Sequence, residues 1–484
     1  VDSTGPVVAV LAPAANAKIS ALSELTGTAG DPNPATNSGI SSTNTIQAQV
    51  SYLSGSDTYY YDNATGFSSF TLNDTNSWWP ATAWVPGSAS SGTWTYAPGG
   101  LSAAVTAAGD KVYRARARAQ DNAVPVANPV SLMSNVATNA NIVYDLTKPI
   151  SRIMTPKDGA ALTTLTAING TAVDNLAGIS TIGQIKVSIR EFSPGNGAWT
   201  GIVPGTFTLP TETFQPLSST SSLAASYVAS TWSFTAPTFR DGYTYVIKVE
   251  ARDDVPNVET AISSVTFTYD TTAPDSVIIY PIGLSDPKGN LNAVTLNMAN
   301  GISGTAFEQF GVKSASVSFQ EVSTNLYYDP YAVPIATFNS VAQVWILTNA
   351  PTGGPIYNWT FTSPPLDRLQ DNYDYNIQVV AGDLAGNPGT PPLATRIKYD
   401  NTKPLSNPGT PVDGAFLNNL AAITGTALDP GSNPYGQSDV AGTRISISSG
   451  TNYWDGSGWV GSPTWLLPVT GTAWSKTTQL PPSN

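Results

Sequence analysis

Short runs in which apolar and polar residues alternate recur from one end of the chain to the other. Val265-Thr266-Phe267-Thr268-Tyr269 is one, Ile185-Lys186-Val187-Ser188-Ile189-Arg190 a second, and residues 241–252 hold a longer one. A period of two places every other side chain on one face, so each run predicts a strand with one buried side. Turn residues bound the runs, as at Pro156-Lys157-Asp158-Gly159, where Pro and Gly supply restricted or left-handed backbone. No segment keeps a 3.6-residue apolar period between recognisable caps. The pattern predicts an all-β chain.

The runs recur in register with two marks. Tyr-Asp-x-Thr-x-Pro appears at Tyr144–Pro149, Tyr269–Pro274 and Tyr399–Pro404, and Val1–Pro6 is a copy with Val in the first place. Each mark ends a strand, because proline has no N–H for the ladder and keeps its predecessor extended. Gly-Thr-Ala follows at Gly27, Gly170, Gly304 and Gly425. The Gly lies 25 residues beyond the marking Asp in three copies (Asp2 to Gly27, Asp145 to Gly170, Asp400 to Gly425) and 34 beyond it in the third, Asp270 to Gly304. Two marks recurring in phase identify a tandem array. Its expected domains are residues 1–144, with enlarged middle loops, 145–269, 270–399 and 400–484.

The second repeat shows the plan most plainly. Strands are expected at 150–154, 165–168, 185–190, 241–252 and 264–269, with Trp199 and Trp232 marking the middle strands. Equivalent runs lie at 46–52 and 111–119 in the first repeat, 315–319 and 373–380 in the third, and 444–447 in the fourth. Six or seven short strands in a module of this size predict a two-sheet sandwich. The fourth repeat reaches Asn484 before the equivalents of the last two strands, and the first opens inside a mark. The chain is therefore expected to be a piece of a longer array.

Composition narrows the function. Of 484 residues, 41 % are hydrophobic, enough for a core in each module, whereas only 11 % are charged, against roughly 25 % in an average domain. The chain has no Cys and no His. That removes disulfides, thiolate chemistry, sulfur-ligated metals and the commonest general base. A formal charge of −12 argues against nucleic acid as a partner, which asks for a basic face. No run of 18 apolar residues is present, so no membrane span is expected. A glycosidase-like carboxylate pair is the main catalytic option left. Most of the seven Glu (24, 191, 212, 250, 259, 308 and 321) fall on strands or turns that recur as scaffold. No enzyme is expected.

Several motifs together resemble bacterial immunoglobulin-like (Big-type) repeats of large secreted or cell-surface adhesin, biofilm and fibre proteins. They are the Tyr-Asp-x-Thr-x-Pro mark, Gly-Thr-Ala-x-Asp, the turn Trp454-Asp455-Gly456-Ser457-Gly458-Trp459, and Ala381-Gly382-Asp383-Leu384-Ala385-Gly386-Asn387. The resemblance covers essentially the whole chain. It departs from the pattern at Phe307-Glu308, where an Asp is expected. It implies an elongated extracellular array, often with Ca²⁺ at the junctions.

In such a sandwich the linker Asp and the Asp residues of two loops meet at one end. The resulting sets are Asp2, Asp31 and Asp121; Asp145, Asp174, Asp253 and Asp254; Asp270, Glu308 and Asp383; and Asp400 with Asp429. Ca²⁺ takes six to eight oxygens at about 2.3–2.6 Å, which three or four carboxylates plus loop carbonyls and water supply. The alternative is that each Asp caps its turn through backbone N–H groups. A second candidate is an aromatic platform in the first repeat, Trp78, Trp79 and Trp84 with Tyr60, stacking on a glycan. Packing of those rings into core and loops is the competing account. The expected function is structural: part of an extracellular filament, surface layer or stalk, with further copies or repeats as partners. The alternative is an adhesin stalk that presents a carbohydrate-binding or other cell-surface tip.

Overall fold

A computed structural model describes residues 4–32, 39–40, 42–64, 66–87, 91–121, 133–195, 197–201, 205–219, 223–281, 290–291, 301–348, 354–362, 368–400, 402–430, 440, 442–469 and 473–482. The chain divides into two compact units, Val1–Ala160 with Thr164–Tyr269, and Ala161–Thr163 with Asp270–Asn484. The fold is an all-β tandem array of immunoglobulin-like sandwiches.

In the first unit, the strands Val7–Ala12, Leu25–Gly30, Ser91–Tyr96 and Ala83–Pro86 form one antiparallel sheet in that order. The facing sheet runs Ala137–Tyr144, Lys111–Ala119, Ile46–Ser54, Asp57–Tyr61. The same plan follows in Ile150–Thr155, Ala167–Val173 and Thr231–Thr235, packed against Ser263–Tyr269, Tyr243–Ala251 and Ile185–Ser193. In the second unit it recurs in Asp275–Tyr280, Ile302–Phe307 and Ile356–Phe361, facing Thr395–Tyr399, Tyr373–Asp383 and Val312–Glu321. The last module is smaller among the described residues. Leu405–Thr410, Ile423–Leu428 and Ala473–Lys476 form one sheet, and Thr443–Ile445 pairs with Leu466–Val469. Its core is Ile423, Ala427, Ile445 and Trp474.

A glycine–tryptophan pair sits in the middle of every module. Gly27 lies opposite Trp94, Gly170 opposite Trp232, Gly304 opposite Trp359 and Gly425 opposite Trp474. A Cβ at Gly170 would stand 1.9 Å from the Arg152 carbonyl oxygen and 2.4 Å from the Trp232 ring, and the other three glycines meet the same two obstacles. The Gly of the Gly-Thr-Ala mark is thus the seat of an indole that fills the space between the sheets. Trp232 Nε1 donates to the Thr171 carbonyl at 3.1 Å and Trp94 Nε1 to that of Thr28 at 3.2 Å, so burial leaves neither N–H unpaired.

The last long strand is anchored by a tyrosine corner. Tyr245 Oη accepts from the Arg240 N–H and Tyr375 Oη from that of Gln370, both at 2.8 Å. The first repeat differs there. An α-helix, Leu101–Ala108, lies on the core through Leu101, Ala104 and Val105, a segment for which no helix is expected from the pattern. Two turns of small residues are too short to show a period, and packing against the core, not propensity alone, holds so short a helix.

Candidate metal centre

Three of the expected ligands converge at the entry of the second repeat. Asp145 follows the strand Ala137–Tyr144, Asp174 follows Ala167–Val173, and Asp253 closely follows Tyr243–Ala251. One carboxylate oxygen from each lies within 4.8 Å of the others. Asp145 and Asp253 are buried, 0 % and 1 % exposed. Two oxygens held by one Ca²⁺ at about 2.3–2.6 Å are at most about 5 Å apart, so this spacing is short enough for one ion to reach all three.

Backbone donors already engage part of the set. Asp145 Oδ1 accepts from Thr147 N at 2.9 Å, and its Oδ2 from Ala177 N at 2.6 Å. Asp174 Oδ2 accepts from Gly178 N at 2.7 Å, while its Oδ1 is buried without a hydrogen-bond partner. Asp253 Oδ1 accepts from Val255 N and Asn257 N, at 2.9 and 2.8 Å. Burial, then the neighbouring charges of Asp174 and Asp110, push the Asp145 carboxyl up to about 6 against the pull of its two backbone donors. A pocket that raises a carboxyl this way disfavours its bare charge. A cation would meet that cost, and the orphaned Asp174 oxygen could serve as a further ligand, so these residues are the ones that would hold a Ca²⁺ ion.

The turn-capping role exists alongside it. Asp270 Oδ1 accepts from Thr272 N and Asp400 Oδ1 from Thr402 N, each at 3.0 Å, as Asp145 does from Thr147. Of the expected ligands, Asp254 turns away. It pairs with Lys18 of the first repeat and accepts from Ser180 and Gln184. Burial would raise its carboxyl, but those donors outweigh it and hold it below the usual carboxylate range. Asp31, Asp121, Asp270, Glu308, Asp383, Asp400 and Asp429 are all buried at their respective modules. Among the described residues, Asp145, Asp174 and Asp253 are the one set of three acidic side chains with oxygens this close together. Asp2 lies outside the described residues.

Two kinds of residue act at the junctions without belonging to the expected sets. Asn257 Nδ2 reaches the carbonyls of Asp145 and Thr147, at 3.1 and 3.3 Å, and Asp253 Oδ2 at 2.7 Å. Asn387 repeats this on Asp270, Thr272 and Asp383, at 2.9, 3.3 and 2.8 Å. The shared Asp-x-x-x-Asn spacing is the signal in the sequence. From the other side, Asp110 accepts from Leu146 N at 2.7 Å, from Asn175 Nδ2 at 2.9 Å and from the Thr147 hydroxyl. Asp371 accepts likewise from the Thr402 hydroxyl.

The expected aromatic platform is dispersed. Trp78 is buried, its Nε1 bonded to the Asp74 carbonyl, with the guanidiniums of Arg116 and Arg118 over its ring at 5.2 and 4.4 Å. Trp79 and Trp84 pack against the core, and Tyr60 remains on the outer side of Asp57–Tyr61. Burial of indole area outweighs leaving it in water.

No protein-family model matches the chain, and no curated protein matches it. Among solved structures, a tetra-tandem repeat from the extending region of a large adhesion protein aligns at 15 % identity over 98 % of this chain and 91 % of that one, with a TM-score of 0.26. An I-band fragment of titin aligns at 9 % identity over 83 % of this chain and all of that one, TM-score 0.27. The FN1–FN3 domains of chicken CNTN1 align at 10 % identity over 82 % and 99 %, TM-score 0.22.

Proposed function

We propose that the chain is a non-catalytic structural component of an extracellular filament, surface layer or stalk, in which the sandwiches set spacing and the junctions set stiffness. The observation that carries this reading is the double grip on the linker. In the first unit, residues 145–147 are held by Asp110 of one repeat and Asn257 of the next. Serial repeats touch mainly their neighbours, so stiffness is decided where they join. Ca²⁺ held by Asp145, Asp174 and Asp253 would tie the linker to two loops and neutralise three carboxylates that burial opposes. Self-association with further copies completes the reading.

Electron microscopy of native material tests the assembly: ordered filaments or a layer are expected, and isolated flexible whiskers would favour an adhesin stalk instead. Calorimetry tests the ion. A ligand that binds only the folded chain raises its melting temperature, so Ca²⁺ should raise the transition of the wild type and not that of Asp174→Asn. A transition unmoved by Ca²⁺ or excess chelator would sink the metal centre.

A further inference from the structure

The smaller sheet of the third repeat stops one strand short of its counterparts. In the first repeat Ala83–Pro86 closes that sheet beyond Ser91–Tyr96, and in the second Ser226–Val228 closes it beyond Thr231–Thr235. The equivalent strand of the third repeat, Ile356–Phe361, is the end of its sheet among the described residues. Glu308 N donates to the Pro355 carbonyl. Alternation along an antiparallel pair therefore turns the N–H and C=O of Tyr357 and Trp359 towards Ile302–Phe307, and those of Ile356 and Asn358 towards the open edge. Among the described residues no backbone group meets Ile356 or Asn358 on that side.

Nothing in the strand blunts this edge. Ile356–Phe361 has no charged residue, and Ile356 is exposed beside Phe307, which lies opposite it and is exposed too. Val277 and Ile279 extend the apolar outer face. An uncharged edge of this kind is a template for another strand. The first two repeats show what such a strand brings, an aromatic residue opposite the buried indole: Trp84 against Trp94, and Tyr227 against Trp232. A second copy of Ile356–Phe361 brings the same. Residues directly opposite in an antiparallel pair share a face. With Asn358 on a two-fold axis, Tyr357 of each copy then stands opposite Trp359 of the other, both on the core side, and each Asn358 N–H donates to the Asn358 carbonyl of the other copy.

We infer that two copies of the chain join edge to edge through Ile356–Phe361 of the third repeat, with Asn358 at the centre of the contact. This locates the self-association proposed above and rests on that reading. Sedimentation equilibrium of the full chain should show reversible, concentration-dependent association. Asn358→Pro removes an N–H that faces away from its own sheet, a change an edge strand tolerates, and should weaken association about tenfold or more. Asn358→Lys and Asn358→Asp each set like charges opposite one another across the axis and should weaken it similarly at low salt. An equimolar mixture of those two variants should associate again. Unchanged melting curves show that the variants fold, and the Lys and Asp pair decides the matter if the Pro variant does not. A wild type that stays monomeric, full association by Asn358→Pro with an unchanged melting curve, or a mixture no stronger than its components overturns the contact. Filaments in native material alongside any of those results leave the structural role standing with its contact elsewhere. Association that follows the expected pattern without filaments or a layer leaves the edge contact and overturns that role.

Discussion

At Gly170 a single hydrogen decides whether a module can close. Any Cβ there collides with the Arg152 carbonyl and the Trp232 ring, and neither a strand backbone nor a buried indole can yield freely. Gly170→Ala should cost about 2–3 kcal/mol or more, read as a lowered urea midpoint at unchanged m-value. Asp145 makes the second residue-scale prediction. Its folded carboxyl titrates near 6, raised by burial and by Asp174 and Asp110, above the ordinary carboxylate range of about 4. Between those two values the folded state holds the extra proton, so stability falls as pH rises through about 6. Without divalent cation, the transition of the first unit should therefore rise as pH is lowered from 7 towards 5. Asp110 and Asp254 have the opposite sign, because their carboxyls are held below the ordinary range, and they remove stability only below about 4. Added Ca²⁺, competing with the proton on Asp145, should flatten the slope between 5 and 7. A slope indifferent to Ca²⁺, or of opposite sign, contradicts the centre.

The loop after the last long strand is an element whose shape depends on one carboxylate and one amide. Asp253 folds the turn 253–257 onto itself, and Asn257 then carries that turn to the linker carbonyls. Asn257→Ala leaves two carbonyls and a buried carboxylate short of a donor, a cost of about 1–3 kcal/mol. Asn387→Ala should show a similar loss in the second unit, and hydrogen exchange of the linker amides should quicken in both variants. Exchange that stays slow would show that the linker is held by something else. The strands themselves were readable from alternation, since their periods match their burial. Tyr243–Ala251 buries Tyr245, Ile247, Val249 and Ala251. The helix Leu101–Ala108 was not readable, because its three buried residues acquire meaning only where the first core needs a cover. The aromatic loop left two accounts open in the sequence, a surface platform or packing, and for Trp78 two arginines on a neighbouring strand lie over the ring.

For the molecule as a whole, the proposal is that junctions rather than modules limit stiffness. Asp110→Ala removes the grip of the first repeat on residues 146 and 147 without touching either core. Small-angle scattering should then show a wider spread of interdomain arrangements in the variant than in the wild type, with each module melting as before. An unchanged scattering profile would place the stiffness elsewhere.

The sequence by itself determined the β class, the modular period and the acidic marks, because alternation, turn chemistry and spacing are local properties that survive in one dimension. It also named Asp145, Asp174 and Asp253 together, since loops at one end of a sandwich follow from strand order. Only the tertiary structure decided the rest. Asp254 leaves that group because Lys18, 236 residues away in sequence, reaches it first. Asp110 and Asn257 join the linker because their modules bring them there. Those choices are made by distances across packed sheets, which no pattern along a single strand contains.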